Sequence, residues 1–197
     1  NGDNTVSGIT TNGILTLNNV TIESARHAVR VESGKVVING GTYKVAPTSN
    51  STLHALNVGD NNTTAEVIIK GGTFIGPKGT KADSGSAVNV RNGSSVVIEG
   101  GNFYGGKTKT LSGNITVKGG TFDQNPSAFV AAGYKAIAAD GIYYVLPETI
   151  ANAAEAEGVT SVTESTADVA TALATNNGEA TLFIWNDVAY IAKYGEV

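Results

Sequence analysis

Val36-Val37-Ile38-Asn39-Gly40-Gly41-Thr42-Tyr43 is the stretch that decides the reading of this chain. It returns as Val67-Ile68-Ile69-Lys70-Gly71-Gly72-Thr73-Phe74, and again as Val96-Val97-Ile98-Glu99-Gly100-Gly101-Asn102-Phe103. A fourth copy is Ile115-Thr116-Val117-Lys118-Gly119-Gly120-Thr121-Phe122. A degenerate copy stands earlier, in Ile14-Leu15-Thr16-Leu17-Asn18-Asn19-Val20-Thr21-Ile22. There Asn18-Asn19 replaces Gly-Gly, and Asn is the non-glycine residue that best accepts left-handed backbone angles.

A second unit recurs three times, each copy preceding a Gly-Gly at a similar interval. It reads His27-Ala28-Val29-Arg30-Val31, His54-Ala55-Leu56-Asn57-Val58 and Ser86-Ala87-Val88-Asn89-Val90. Both units are rich in Val and Ile and alternate in character, which predicts short strands. Two strands per repeat, at a period within about 20–50 residues, predict a solenoid. Strand parity sends Val36/Ile38, Val67/Ile69, Val96/Ile98 and Ile115/Val117 inward, with Val29/Val31, Leu56/Val58 and Val88/Val90 beside them. The Gly-Gly pairs would form a corner that needs positive φ. No helix follows them, so they are not phosphate-binding loops. Tyr43, Phe74, Phe103 and Phe122 would then turn in as an aromatic ladder.

Residues 44–53, 59–65 and 76–85 are rich in Ser, Thr, Asn, Gly and Pro, differ in length, and read as loops expelled from the coil. The last repeat runs on through Asp123-Gln124-Asn125-Pro126 to two short strand-like pieces that end at Tyr143-Tyr144-Val145-Leu146, which would close the solenoid. Composition changes after Pro147. An Ala/Glu-rich helix is expected over 148–157, and a second over 166–175 behind the capping-box-like Ser165-Thr166-Ala167-Asp168. Thr181–Trp185 and Val188–Ala192, around Asn186-Asp187, read as a β-hairpin. The domains are therefore a parallel β-helix over 1–146 and a C-terminal α/β appendage over 147–197.

Composition narrows the function classes. The 197 residues are 41% hydrophobic and only 15% charged, with 25 glycines. Thirteen Lys plus Arg stand against seventeen Asp plus Glu, a net charge of −4, and no basic cluster is present to hold nucleic acid. With no cysteine there are no disulfides, thiolate metal sites or Cys nucleophile. Methionine is absent even at position 1, so a processed or trimmed chain is expected. No apolar run approaches the roughly 18 residues of a membrane helix.

The Val-x-Ile-x-Gly-Gly-Thr-Phe repeat resembles right-handed parallel β-helix proteins of the pectate-lyase-like superfold. Gly119-Gly120-Thr121-Phe122-Asp123-Gln124-Asn125-Pro126-Ser127-Ala128-Phe129-Val130, with Gly133-Tyr134, is similar to the terminal rung of large bacterial surface proteins and some phage fibre proteins. The resemblance covers roughly residues 5–146. It implies an extracellular location on a cell or virion surface. It says little about activity, because this superfold hosts lyases, hydrolases, adhesins and tail spikes. Residues 162–187 more weakly resemble the helix and first strand that open such a fold, although here they come last.

A lyase of this type would need acidic residues on adjacent rungs to hold Ca²⁺, and a basic residue to take a proton. Asp60, Asp83 and Asp123 fall in loops or turns, and Glu32, Glu66 and Glu99 take different positions in the repeat. Glu66 and Glu99 are the one pair that would approach glycosidase spacing. His27 and His54 align one rung apart but lack a third ligand, and Ser86 follows them, so corner residues are expected rather than a metal site. Neither a metal nor another cofactor is expected.

Arg30, Asn57 and Asn89 would stack outward, and with Tyr104 they are the candidate sugar-binding residues. Val37, Ile68 and Val97 would form an outward apolar stripe, which is usually covered, by the chain's own loops or appendage or by another subunit. Lys70, Glu99 and Lys118 would run beside it in alternating sign. Phe183, Trp185 and Tyr190 are the corresponding assembly candidates in the appendage, with Trp185 expected to pack on the helix at 166–175. The expected function is a non-catalytic structural or adhesion rod, assembling head-to-tail through the appendage, with other protein subunits or surface glycans as partners. The alternative is a carbohydrate-binding module or a polysaccharide-degrading β-helix.

Overall fold

The computed structural model describes residues 7–46, 52–78, 85–91, 93–139, 141–156, 161–164, 181–185 and 188–193; for Ala139, Ala156 and everything from 161 onward it describes the backbone alone. The chain winds in five successive coils, each of three short strands. The first coil holds β1 (Ile9–Thr11), β2 (Ile14–Leu17) and β3 (Val20–Ser24). The second holds β4 (Val29–Val31), β5 (Gly34–Ile38) and β6 (Gly41–Val45), and the third β7 (His54–Val58), β8 (Ala65–Ile69) and β9 (Thr73–Ile75). The fourth holds β10 (Ser86–Val90), β11 (Ser95–Ile98) and β12 (Asn102–Tyr104), and the fifth β13 (Leu111–Ser112), β14 (Ile115–Val117) and β15 (Thr121–Phe122).

Each strand pairs in parallel with its counterpart one coil away, which makes three sheets. The first runs β1-β4-β7-β10-β13, the second β2-β5-β8-β11-β14, and the third β3-β6-β9-β12-β15. The molecule is thus predominantly β with stacked parallel sheets, an arrangement compatible with a solenoid. The repeat holds three strands where the sequence suggested two. The third begins at or just after the second glycine of each Gly-Gly pair and carries the aromatic residue, too short to stand apart from the repeat that precedes it.

The interior is built of like residues stacked on like. Leu15, Val36, Val67, Val96 and Ile115 align in one column of the second sheet, and Leu17, Ile38, Ile69, Ile98 and Val117 in the next. Tyr43, Phe74, Phe103 and Phe122 are fully buried and stacked, with ring centroids 4.9, 5.1 and 4.9 Å apart. Such stacking adds about 0.5–1.5 kcal/mol per pair to the burial of the rings. Tyr43, the only phenol of the ladder, donates its hydroxyl to the Gly40 carbonyl at 2.8 Å.

The Gly-Gly corner follows from backbone crowding. The second glycine of each pair has positive φ, +111° at Gly41, +108° at Gly72, +109° at Gly101 and +99° at Gly120. A Cβ on Gly101 would lie 2.7 Å from the Gly72 carbonyl oxygen. Asn19, which replaces that glycine in the first coil, also has positive φ, at +50°.

A 3-10 turn at Ser127–Phe129 follows the fifth coil, and Val130 bridges to Val117 at the end of the second sheet. β16 (Tyr134–Ala139) and β17 (Ile142–Pro147) then form an antiparallel hairpin, and β17 pairs with β15 to extend the third sheet. Parallel stacking ends at this antiparallel edge. α1 (Glu148–Ala156) starts directly after β17, as the composition predicts, and contacts both hairpin strands. β18 (Ser161–Glu164), β19 (Thr181–Trp185) and β20 (Val188–Lys193) form a separate antiparallel sheet in the order β18-β20-β19. The β19–β20 hairpin is the one the sequence predicts; β18 adds an unforeseen third strand. The helix expected over 166–175 lies outside the described residues.

Candidate functional site

Arg30, Asn57 and Asn89 do stand in one column of the first sheet, in register across β4, β7 and β10. Asn89 donates its amide N–H to Asn57 Oδ1 at 2.8 Å. Asn57 is only 1% exposed. Arg30 is committed to carboxylates, with Nη2 at 2.9 Å from Asp60 and 3.3 Å from Glu32. Asp60 in turn lies 3.9 Å from Arg91. Its carboxyl is held below the usual carboxylate range, first by the Asn61 backbone N–H and then by Arg30. The three share a column, but Asn57 is buried within it, Asn89 is bonded to Asn57, and the Arg30 Nη2 is taken up by Asp60 and Glu32. Tyr104, 37% exposed, lies in β12 of the third sheet and aligns with Ile75, so it belongs to a different column from these three.

The carboxylate pair is not assembled. Glu66 faces Ser95 across the β8–β11 ladder, and Glu99 lies four residues further along that strand. At about 3.3 Å per residue the two are separated by roughly 13 Å along the strand direction, beyond the spacing of about 5–10 Å that glycoside hydrolysis uses. Glu66 is also paired with Lys35 at 2.9 Å. Among the described residues no group of three or more His, Asp or Glu side chains is arranged to hold a metal ion.

The histidines stack as their spacing suggests. Their ring centroids are 5.4 Å apart and their planes within 5° of parallel. His27 Nδ1 lies 3.1 Å from the His54 amide nitrogen and 3.4 Å from its carbonyl oxygen. The closer contact, in a buried setting, is that of a neutral ring accepting the N–H. His54 Nδ1 accepts the Ser86 N–H at 3.2 Å and lies 2.9 Å from the Ser86 hydroxyl oxygen. Burial pushes the His27 pKa down to about 4 and that of His54 to about 3. The column is a set of neutral acceptors that satisfies backbone donors of the next coil.

The outward stripe is present. Thr16, Val37, Ile68, Val97 and Thr116 align across the second sheet. Val37 and Val97 are half-buried and Ile68 is 37% exposed. Lys70, Glu99 and Lys118 run beside it and are exposed, but among the described residues no ion pair links them. In the appendage Phe183 and Tyr190 are register partners and Trp185 pairs with Val188. The contacts of their side chains lie outside the described residues.

Two features escape the sequence reading. Asp123 follows the last aromatic of the ladder, in the column of Tyr104. Both its oxygens accept the Gly105 N–H at 2.9 Å, one accepts the Thr110 hydroxyl, and Lys78 Nζ lies at 3.1 Å. It ties loops of successive coils together. Its only signal in the sequence is an acid where the three preceding coils carry Lys44, Ile75 and Tyr104; the first coil carries Glu23 there. A shallow depression beside it is lined by Lys109, Thr110, Gln124, Asn125 and Phe129.

Compared with family models, with curated proteins and with solved structures, the chain matches none.

Proposed function

We propose that the chain is a right-handed parallel β-helix that serves as a non-catalytic, extracellular structural or adhesion rod on a cell or virion surface, joined head-to-tail through its C-terminal appendage. The observation that supports this most is the use made of the outward polar groups. Arg30, Asp60, Asn57 and Asn89 pair with neighbours in adjacent coils, as do Lys35 with Glu66 and Lys44 with Glu23. Side chains spent in this way stiffen a rod and are not left free for acid–base chemistry. At the first coil the outer edges of β1, β2 and β3 carry no partner strand among the described residues, and such an edge is a template for another chain. Antibody labelling of intact source cells or virions tests the location, and labelling only after permeabilisation overturns it. Turnover on a polysaccharide panel overturns the non-catalytic reading. Electron microscopy at rising concentration should show end-to-end particles of discrete length; lateral pairs only, or single particles only, would sink head-to-tail joining.

A glycan-binding role is the second reading, and the depression at Asn125 and Phe129 favours it. There amide groups lie beside an aromatic ring, a pairing suited to a sugar's hydroxyls and its apolar face. Glycan-array binding lost on Phe129→Ala and Asn125→Ala would support it, and silence on the array would remove it.

A further inference from the structure

We propose that the open edge of β13, at the end of the first sheet, takes an extended peptide segment of another protein as an added strand, with an acidic residue of that peptide set on Lys109. The three sheets end differently after the fifth coil. On the second sheet the Val117 carbonyl faces onward and accepts the Ala131 N–H at 2.9 Å. On the third, Gly120 accepts the Val145 N–H at 3.0 Å and β17 lies along β15. The first sheet stops at β13, with no strand beyond it among the described residues.

The ladder dictates which groups that edge presents. In a parallel sheet the N–H and C=O of one residue turn to one neighbouring strand, and those of the next residue to the other. Here the inward residues bond onward: Val31 accepts the Gly59 N–H at 2.7 Å and Val58 the Arg91 N–H at 2.8 Å. Leu111 continues their parity, as the register partner of Val88, which pairs with Leu56. Its N–H and C=O therefore face the open side, where among the described residues no backbone group meets them. The depression lined by Lys109, Leu111, Asn125, Pro126 and Phe129 adjoins this edge.

These features select the occupant. The onward positions of the second and third sheets are already taken by Ala131 and β17, so a complete coil of a second copy has no room on this end. A single extended strand needs the first sheet alone, and a donor and an acceptor on one edge residue are what strand addition uses. Lys109 sets the charge. It is half-buried, its Nζ lies 3.5 Å from the Ser112 hydroxyl, and among the described residues no carboxylate pairs with it. Asp123 is committed to Gly105, Thr110 and Lys78. Leu111 and Phe129 supply apolar surface for an inward side chain of the peptide. β13 is only two residues long, so the strand is held weakly. Head-to-tail joining uses the edges of the first coil, at the other end of the sheets, and neither result decides the other.

The test is NMR titration of the full chain, at low salt, with the synthetic peptide acetyl-Thr-Glu-Ala-Leu-Asn-Glu-Gly-amide up to about 5 mM. Its Ala-Leu-Asn copies β7, and an acid stands two residues to either side of the leucine, so that Lys109 meets one whichever way the strand runs. Saturable shifts centred on the Leu111 and Phe129 amides are expected, with slowed exchange of the Leu111 N–H. Changing both peptide acids to lysine, or Lys109→Gln in the chain, should weaken binding at least about threefold. N-methylating the peptide's Leu and Asn amides should weaken it at least about fivefold. The peptide changes leave the protein untouched, and unchanged circular dichroism verifies the fold of Lys109→Gln. No binding at the highest concentration, equal binding of the N-methylated peptide, or shifts centred elsewhere overturns the proposal. So does a neutral oligosaccharide that shifts Phe129 where the peptide does not, which would assign the depression to a sugar.

Discussion

His54 lies flat on His27 and passes on the same bond: each ring accepts a backbone N–H from the coil above it through Nδ1. Protonating His27 Nδ1 would set an N–H against the His54 N–H, and either imidazolium would be a charge in a buried site. Both rings therefore hold folded pKa values below the roughly 6.5 of the unfolded chain, at about 4 and about 3. For such a group the unfolded state binds the extra protons first, so the contribution is intact above pH ~6.5 and is lost as pH falls toward the folded values. Urea midpoints should drop between pH 6.5 and 4.5, by a stability loss of roughly 2–5 kcal/mol. In His27→Ser/His54→Ser the same interval should be much flatter. An equal slope in that variant would show that other groups set the acid sensitivity.

Removing a ring from the aromatic ladder should be costly in proportion to its neighbours. Phe74 and Phe103 each stack on a ring above and below, whereas Phe122 ends the series. Phe103→Ala should cost about 3–5 kcal/mol, read as a lower midpoint in chemical denaturation, and Phe103→Leu substantially less. Phe122→Ala should cost less than Phe103→Ala.

Asp123 predicts a graded series. Asp123→Ala strands the Gly105 N–H and the Thr110 hydroxyl, and should cost about 1–3 kcal/mol. Asp123→Asn keeps one acceptor and should fall between the wild type and the alanine variant. Faster amide exchange at Gly105 in both variants would locate the effect.

Asn57 separates a structural ladder from a ligand site. Its carboxamide is buried and accepts from Asn89. Asn57→Ala should therefore lower stability by about 1–2 kcal/mol, measured by thermal unfolding. A variant with unchanged stability and altered glycan binding would reverse that assignment.

The columns were legible in the sequence because a repeat shows one position several times over. Val36, Val67, Val96 and Ile115 identify one another, and the glycine before each aromatic marks the bend. Asn19 illustrates the same logic, since its left-handed backbone could be expected from the glycines it replaces. The strand after the bend was not separable, because at Thr73–Ile75 or Asn102–Tyr104 it is three residues long and too short to show its own alternation. Parity told which face Asn57 occupies but not that its neighbours would bury it. Asp123 was missed for a related reason. Its partners Gly105, Thr110 and Lys78 come from other loops, and their meeting depends on how the coils stack.

The three corners of the coil differ in their tolerance of length. The links at 59–64 and 91–94, and those at 46–53, 76–85 and 105–110, vary freely from coil to coil. The link at Gly71-Gly72, Gly100-Gly101 and Gly119-Gly120 does not. The chain therefore has one seam that keeps count and two that do not. An insertion at either of the latter would be carried outward as a flap, leaving the coils above and below in phase. A single residue added at the glycine seam would turn every later side chain of that coil inside out. Whatever diversity such a chain acquires is expected at two of the three corners of each coil, and the third works as its ruler.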